Sequence, residues 1–234
     1  MIAAPTHRFV PAIVLALALP VFVGAGTCGL VLDYTETFLV TDPVDRIVIV
    51  TDDGNIDATA YDRDAMLLKR HTFGFEASLG KPHFDITDGT ASYEVHCKYA
   101  HKCTFDHMFE MPFGIAFDIT MDRAHIDFGY TDGDIEADFD EGTFNGVRLA
   151  APNVAITADS AEVDADWSVP PESVTIDVGK GEVILGVPAG EYRCTLDASS
   201  GEVTIQGISC VDTATAVLDV SLGDGDILVM GITP

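Results

Sequence analysis

Val174-Thr175-Ile176-Asp177-Val178-Gly179-Lys180-Gly181-Glu182-Val183-Ile184-Leu185-Gly186-Val187 alternates apolar and polar residues on both sides of a glycine-rich break. Val174, Ile176 and Val178 make one alternating run, and Val183, Leu185 and Val187 a second. A period of two sends one set of side chains inward and the Asp, Thr and Glu set outward, which is the pattern of a half-buried strand. Outward from this stretch the same alternation recurs at Ile47 and Ile49, at Val203 and Ile205, and at Leu218, Val220 and Leu222. Clusters of Gly, Asp and Ser separate the runs and read as turns. Beyond Asp33 no stretch sustains apolar spacing at three and four residues. Ala65-Met66-Leu67-Leu68-Lys69-Arg70 could pass for one helical turn, but between flanking strands it reads as a strand. The fold class is all-β.

A local unit also repeats: Gly, an acid or amide, Ile or Val, any residue, and another apolar residue. It appears at Gly54-Asn55-Ile56, Gly133-Asp134-Ile135, Gly181-Glu182-Val183, Gly201-Glu202-Val203 and Gly225-Asp226-Ile227, with weaker copies at Gly146-Val147-Arg148-Leu149 and Ala161-Glu162-Val163. Rungs of about 20 residues that rely on their neighbours to bury a face are the signature of a β-solenoid-like coil of short strands. The alternative is a β-sandwich of Asp-Gly hairpins. A coil stacks 183–187 and 203–207 parallel, whereas hairpins tend to pair them antiparallel. The coil puts Ile135, Val183, Val203 and Ile227 in one interior with Leu185, Ile205 and Val229. It leaves Asp134, Glu182, Glu202 and Asp226 exposed.

The 234 residues carry 12 Lys and Arg against 38 Asp and Glu, a net charge of −26. That excess repels phosphate and sets nucleic acid aside as a partner. A hydrophobic content of 47% is too high for a disordered acidic tail. Arg8, then a charge-free apolar run centred on 12–19, then Gly24, Ala25 and Gly26 have the layout of a secretory signal over residues 1–27. The charge-free stretch reaches Leu32, so an uncleaved anchor is the competing reading. Cys28 stands where a bacterial lipoprotein carries its lipidated cysteine, although Ala25-Gly26-Thr27 only resembles a lipobox, and Val23-Gly24-Ala25 would serve as an ordinary cleavage site. Without Cys28, the remaining four cysteines can pair in an oxidising compartment.

The repeats, with Met111-Pro112-Phe113-Gly114 and Val187-Pro188-Ala189-Gly190, resemble the putative-adhesin, β-strand-repeat family of bacterial envelope proteins, a domain of unknown function. The resemblance covers about residues 44–231. It implies a solenoid-like fold at the cell envelope, as a periplasmic, outer-membrane lipoprotein or surface protein, and it implies no catalytic residue and no cofactor. The organisation it suggests is a signal at 1–27, an N-terminal β region with a cysteine hairpin at 28–110 and a repeat region at 111–234, the last two forming one continuous domain. The partners would be envelope or extracellular macromolecules, with membrane attachment through Cys28 if it is lipidated. Two features depart from the family pattern: degenerate rungs between Gly142 and Pro170, and a His-rich loop around Cys103.

That loop, His96-Cys97-Lys98-Tyr99-Ala100-His101-Lys102-Cys103-Thr104-Phe105-Asp106-His107, holds ligands suited to zinc, but its cysteine spacing exceeds the usual two to four residues. In an exported chain a Cys97–Cys103 disulfide closing a hairpin tip is the favoured reading, with weak metal binding by the histidines left open. Cys194 and Cys210 flank the Gly201 unit and would bridge consecutive rungs, against the alternative of a free buried pair. Gly223-Asp224-Gly225-Asp226-Ile227 shares features with a calcium-binding nonapeptide, but one copy supplies too few oxygens. The Asp-rich stretches 132–141 and 159–166 read as solvated faces with a diffuse attraction for divalent cations. No Gly-x-Ser-x-Gly, His-Glu-x-x-His or phosphate loop occurs. The function expected is a non-catalytic exported envelope protein that presents an acidic surface. The alternative is a polysaccharide hydrolase or lyase on a solenoid, which needs two convergent carboxylates and has only Trp167 as a tryptophan platform.

Overall fold

A computed structural model describes residues 31–75, 79–80, 82–98 and 103–233. Among them there is no helix, and the strands run β1 (Val31–Val40), β2 (Arg46–Ala60), β3 (Met66–Phe75), β4 (His83–Thr87), β5 (Thr90–Val95), β6 (Cys103–Met111) and β7 (Ala116–Gly129). They continue as β8 (Ile135–Leu149), β9 (Asn153–Trp167), β10 (Ser173–Pro188), β11 (Glu191–Ala198), β12 (Val203–Gln206), β13 (Ser209–Cys210) and β14 (Val217–Ile232). All belong to one large mixed sheet that does not close, running β1-β3-β6-β2-β7-β8-β9-β10-β14-β11-β13, with β4, β5 and β12 off this path. The segment expected to act as a signal, residues 1–27, and Cys28 lie outside the described residues.

Six strands, β2, β7, β8, β9, β10 and β14, are 14–16 residues long. That is more than twice the usual five or six. Each is two arms joined at a corner, as the burial shows. In β10 Val174, Ile176 and Val178 are buried on the first arm and Val183, Leu185 and Val187 on the second, with Gly186 and Pro188 also buried at the strand end. A straight strand would keep its parity. The shift between 179 and 182 turns the second arm so that both arms point into the same interior. The same shift separates Leu218, Val220 and Leu222 from Ile227 and Val229 in β14, and Val154, Ile156 and Ala158 from Ala161, Val163 and Ala165 in β9. All these side chains join one hydrophobic cluster that extends from Val40 to Val229.

The six long strands pair parallel and in register. The corner residues Gly54, Ala124, Gly142, Ala161, Gly181 and Gly225 therefore stack in a single column. At its glycine positions not even a Cβ fits, because a backbone carbonyl of a neighbouring strand occupies the place. A Cβ on Gly181 would lie 1.7 Å from the Ala161 carbonyl oxygen, and Gly181 has φ 148°, a conformation few L-residues adopt.

Three sequence expectations need correcting. The corner of β8 is Gly142, not Gly146; Gly146 precedes a bulge where Arg148 takes φ 50° and the β8–β9 register shifts. Apart from that bulge β8 and β9 pair parallel in unbroken register, so the stretch from Gly142 to Pro170 is not degenerate in structure. The Cys97–Cys103 segment does not tip a hairpin, since β5 and β6 do not pair with each other. Both pair parallel with β2, β5 along its first half and β6 along its second. Finally, Val203 is not next to Val183. The strands around them run parallel, but β14 lies between, with Val183 and Val203 both opposite Ile227. β14 wins the inner place because Leu218, Val220, Leu222, Ile227 and Val229 form an unbroken apolar set, all at most 1% exposed. The interrupted β11 and β12 lie at the edge of the sheet beyond β14, so the expected interior places of Val203 and Ile205 are not reached: Val203 is only partly buried and Ile205 is 43% exposed.

Candidate functional site

The outward side chains of the parallel strands form columns about 4.8 Å apart per step, and the two arms carry different ones. On the first arm Thr120, Asp138, Thr157, Asp177, Ser221 and Asp197 follow one another across the sheet, so each carboxylate has hydroxyl neighbours. On the second arm Glu162, Glu182 and Asp226 are directly opposite one another. Glu202 extends this ladder, its backbone N–H donating to Asp226 Oδ1 at 2.8 Å. All four are exposed. Asp57, Asp127, Asn145 and Asp164 form the next column, in which Asn145 donates to Asp127 at 2.8 Å. Partial burial, and then the charge of Asp127, raise the Asp57 carboxyl above its ordinary value. The corner column alternates instead: Asp53, Arg123, Glu141, Ser160, Lys180 and Asp224. Arg123 grips Asp53 with two hydrogen bonds of 2.8 and 2.5 Å. Beside this pair an open groove of about 490 Å³ is lined by Asn55, Asp106, Arg123, His125 and Glu141 among others.

The N-terminal end of the sheet carries the histidines. His71 on β3 bridges Asp33 of β1 (2.9 Å) and Asp106 of β6 (3.1 Å), and those bonds raise its pKa against some desolvation. His96 meets Asp52 at 2.7 Å and shifts the same way. His107 is different: it points into the core at 1% exposure, with its ring 4.4 Å from that of Tyr93. Burial, and then the charge of Arg70, lower it to about 3. Arg70, also buried, pairs with Glu36 and lies over the Phe38 and Tyr93 rings. Burial raises the Tyr93 hydroxyl to about 12 despite Arg70. Among the described residues the Tyr93 hydroxyl, Arg70 Nε, both His107 ring nitrogens and the hydroxyls of Thr51 and Thr72 lack hydrogen-bond partners.

Cys97 and Cys103 form a disulfide with Cα atoms 5.9 Å apart, and Cys194 and Cys210 another at 5.4 Å. The first consumes both thiols a zinc site would use. His96 faces outward and His107 inward, so these two cannot share an ion; His101 lies outside the described residues. No group of three or more His, Cys, Asp or Glu able to hold a metal ion occurs among the described residues. The Asp224-Gly225-Asp226 turn is the corner of β14. Trp167 is fully buried and donates to the Ala151 carbonyl at 3.3 Å, so it offers no stacking platform. Two disulfides suit an extracellular or envelope compartment.

The buried Arg70–His107–Tyr93 group was not expected from the sequence, although its signal was present. Arg70 falls in phase with Met66, Leu68 and Thr72, and His107 with Cys103, Phe105 and Phe109, on the inward parity of their strands. No protein-family model matches the chain, and no curated protein does. Among solved structures the chain is similar to a putative cell adhesion protein from Clostridium sporogenes, with 12% identity over 86% of this chain and 100% of that one and a TM-score of 0.49. It is also similar to a putative adhesin from Parabacteroides distasonis, with 9% identity, 85% and 97% coverage and a TM-score of 0.27. A putative lipid-binding protein from the same organism matches with 10% identity, 85% and 97% coverage and a TM-score of 0.25.

Proposed function

We propose that this chain is a non-catalytic, exported envelope protein of adhesin type, whose β-solenoid-like coil has rungs of about 20 residues and displays acidic columns to cationic groups on other envelope or extracellular macromolecules. The observation that carries this reading is the Glu162–Glu182–Asp226–Glu202 ladder. Like charges directly opposite one another weaken a sheet. On the first arm the Thr120–Asp197 column avoids that by placing hydroxyls between its acids, and where Asp118 and Glu136 do meet, Arg46 lies 3.7 Å from Asp118. The second arm stacks Glu162, Glu182 and Asp226 with no such relief in the column. A cationic partner lying along the ladder would offset the repulsion. The sign of the charge sets nucleic acid aside. Residues 1–27 act as the export signal, and lipidation of Cys28 would hold the coil at a membrane.

The test compares cells displaying the natural chain with cells displaying E162Q/E182Q/E202Q/D226N. Attachment to surfaces or to neighbouring cells should fall in the variant, with its fold intact by circular dichroism. Equal attachment would overturn the reading. The intact mass of the mature protein, with or without diacylglycerol on Cys28, tests export and lipidation separately.

A further inference from the structure

The spatial order at the C-terminal end of the sheet departs from chain order. The chain runs β10, β11, β12, β13, β14, yet β14 sits between β10 on one side and β11 with β12 on the other. Across β14, the two flanking elements face each other row by row. Leu218 is opposite both Val174 and Cys194, Val220 opposite Ile176 and Leu196, and Leu222 opposite Val178 and Ala198. Beyond the corner, Ile227 is opposite Val183 and Val203, and Val229 opposite Leu185 and Ile205. Each β10 residue thus precedes its β11 or β12 counterpart by the same 20-residue step that separates β9 from β10 in direct pairing, as Asn153 from Ser173. The corner obeys the same rule, since Gly201 abuts Gly225, which abuts Gly181. If β14 left, β11 and β12 could close on β10 with every inward residue on its row and the small residues still in their column.

The covalent arrangement permits this. The Cys194–Cys210 bridge ties β13 to β11, as do hydrogen bonds from the Ser209 N–H to the Gly190 carbonyl and from the Val211 N–H to the Tyr192 carbonyl. Neither disulfide ties β14, which joins the rest through residues 211–216. We propose that the place between β10 and β11–β12 is an exchangeable strand site, whose other occupant is β14 of a second copy of this chain. Re-pairing of β10 with β11–β12 covers the vacated edge while β14 is out. Within one chain that state buries one rung fewer, so it is transient. Two copies that trade β14 recover every contact, and the exchanged pair accumulates with concentration. Like-for-like pairing follows from the register, because only a strand with apolar residues on both sides of a Gly corner fills these rows.

The experiment uses the full chain carrying new cysteines on the exposed outer face. Thr175 and Asp219 are paired neighbours, so T175C/D219C should close within one chain. Thr175 and Thr195 are both opposite Asp219, roughly 10 Å apart, beyond the reach of a disulfide. T175C/T195C should therefore close only when β14 has left. T175C and D219C protein are mixed at high concentration under mild oxidation, and the products are mapped as peptides. The expected result is a covalent dimer joined from position 175 of one chain to position 219 of the other, with T175C/T195C closing internally and then resisting dimerisation. A mixture that yields no such cross-chain link, with the unmodified chain monomeric at every concentration, overturns the exchange. A cross-chain link without closure of T175C/T195C overturns the re-pairing of β10 with β11 and β12.

Discussion

Leu185 and Ile205 occupy equivalent positions on β10 and β12, opposite the same Val229, yet only Leu185 is fully buried. Leu185→Ala should cost about 2–5 kcal/mol from lost burial and the cavity left behind. Ile205→Ala should cost less than about 1 kcal/mol, because a half-exposed side chain surrenders little contact. Urea denaturation of the two variants measures the difference, and equal losses would mean that the end of the stack is covered. His107 poses the opposite problem, a polar ring whose nitrogens find no partner. Its unfolded value is near 6.5 and its folded value about 3. The unfolded chain therefore takes up a proton that the folded chain refuses as pH drops. The contribution of the neutral ring is present above pH 6.5 and is lost progressively toward pH 3. His107→Phe should remove that slope and add about 1–2 kcal/mol at neutral pH by eliminating two orphaned nitrogens. Stability curves at about pH 4 and pH 7 check both parts. A net loss at neutral pH would show that the ring has an internal partner such as a water.

At the scale of the strand, the corner decides the architecture. Without the parity shift at 179–182, Val183, Leu185 and Val187 would face solvent while Val174, Ile176 and Val178 faced the core. Gly181→Ala should therefore be more damaging than its single methyl suggests, since it adds a Cβ within 1.7 Å of a backbone oxygen at a φ that favours glycine. A loss of about 2–4 kcal/mol is expected, from strain plus the displaced rung. Ala161→Gly in the same column should cost under about 1 kcal/mol, and chemical denaturation of both separates crowding from general glycine effects. Much of this was legible beforehand. The alternating runs and the Gly-acid-apolar units revealed strands and most of the inward set, because burial imposes a period of two on the residues themselves. The direction stayed open between a parallel coil and an antiparallel sandwich, and Ile205, expected inside, is exposed. Two things were not legible. The corner role of Ala124 and Gly142 was hidden, because Ala substitutes for Gly and a bulge offset the spacing near Gly146. The intercalation of β14 was hidden for a deeper reason. β11–β12 and β14 carry the same pattern toward β10, so the local sequence does not rank them; the unbroken apolar set of β14 does. The surface was only partly readable, since a column of acids exists only once register is known.

Across the whole molecule, the excess of acids has a geometry as well as a sum. With 38 acids against 12 bases, every carboxylate sits in a negative field, but columns differ in how that field is relieved. The corner interleaves Arg123 and Lys180 with acids, the Thr120–Asp197 column of the first arm interleaves hydroxyls, and Asp118 opposite Glu136 has Arg46 beside it. The second-arm ladder has neither, and its neighbours stand within a Debye length of roughly 8 Å at physiological salt. Repulsion there is local, so one substitution at the middle of the ladder should relieve more than one at the margin. Glu182 faces acids on both sides, Glu162 and Asp226, whereas Asp197 faces Ser221. Glu182→Gln should raise the melting temperature at low salt, and Asp197→Asn should change it less. The advantage of Glu182→Gln should shrink as sodium chloride is added, because salt screens the same repulsion. Thermal melts at about 10 mM and about 500 mM salt decide it. If the two variants gain equally, or the gain persists in high salt, the repulsion is spread over the net charge and the ladder has no special standing. If Glu182→Gln alone gains and loses its gain in salt, the second arm is the place where this fold carries its strain, and so where a cationic partner would stabilise it most.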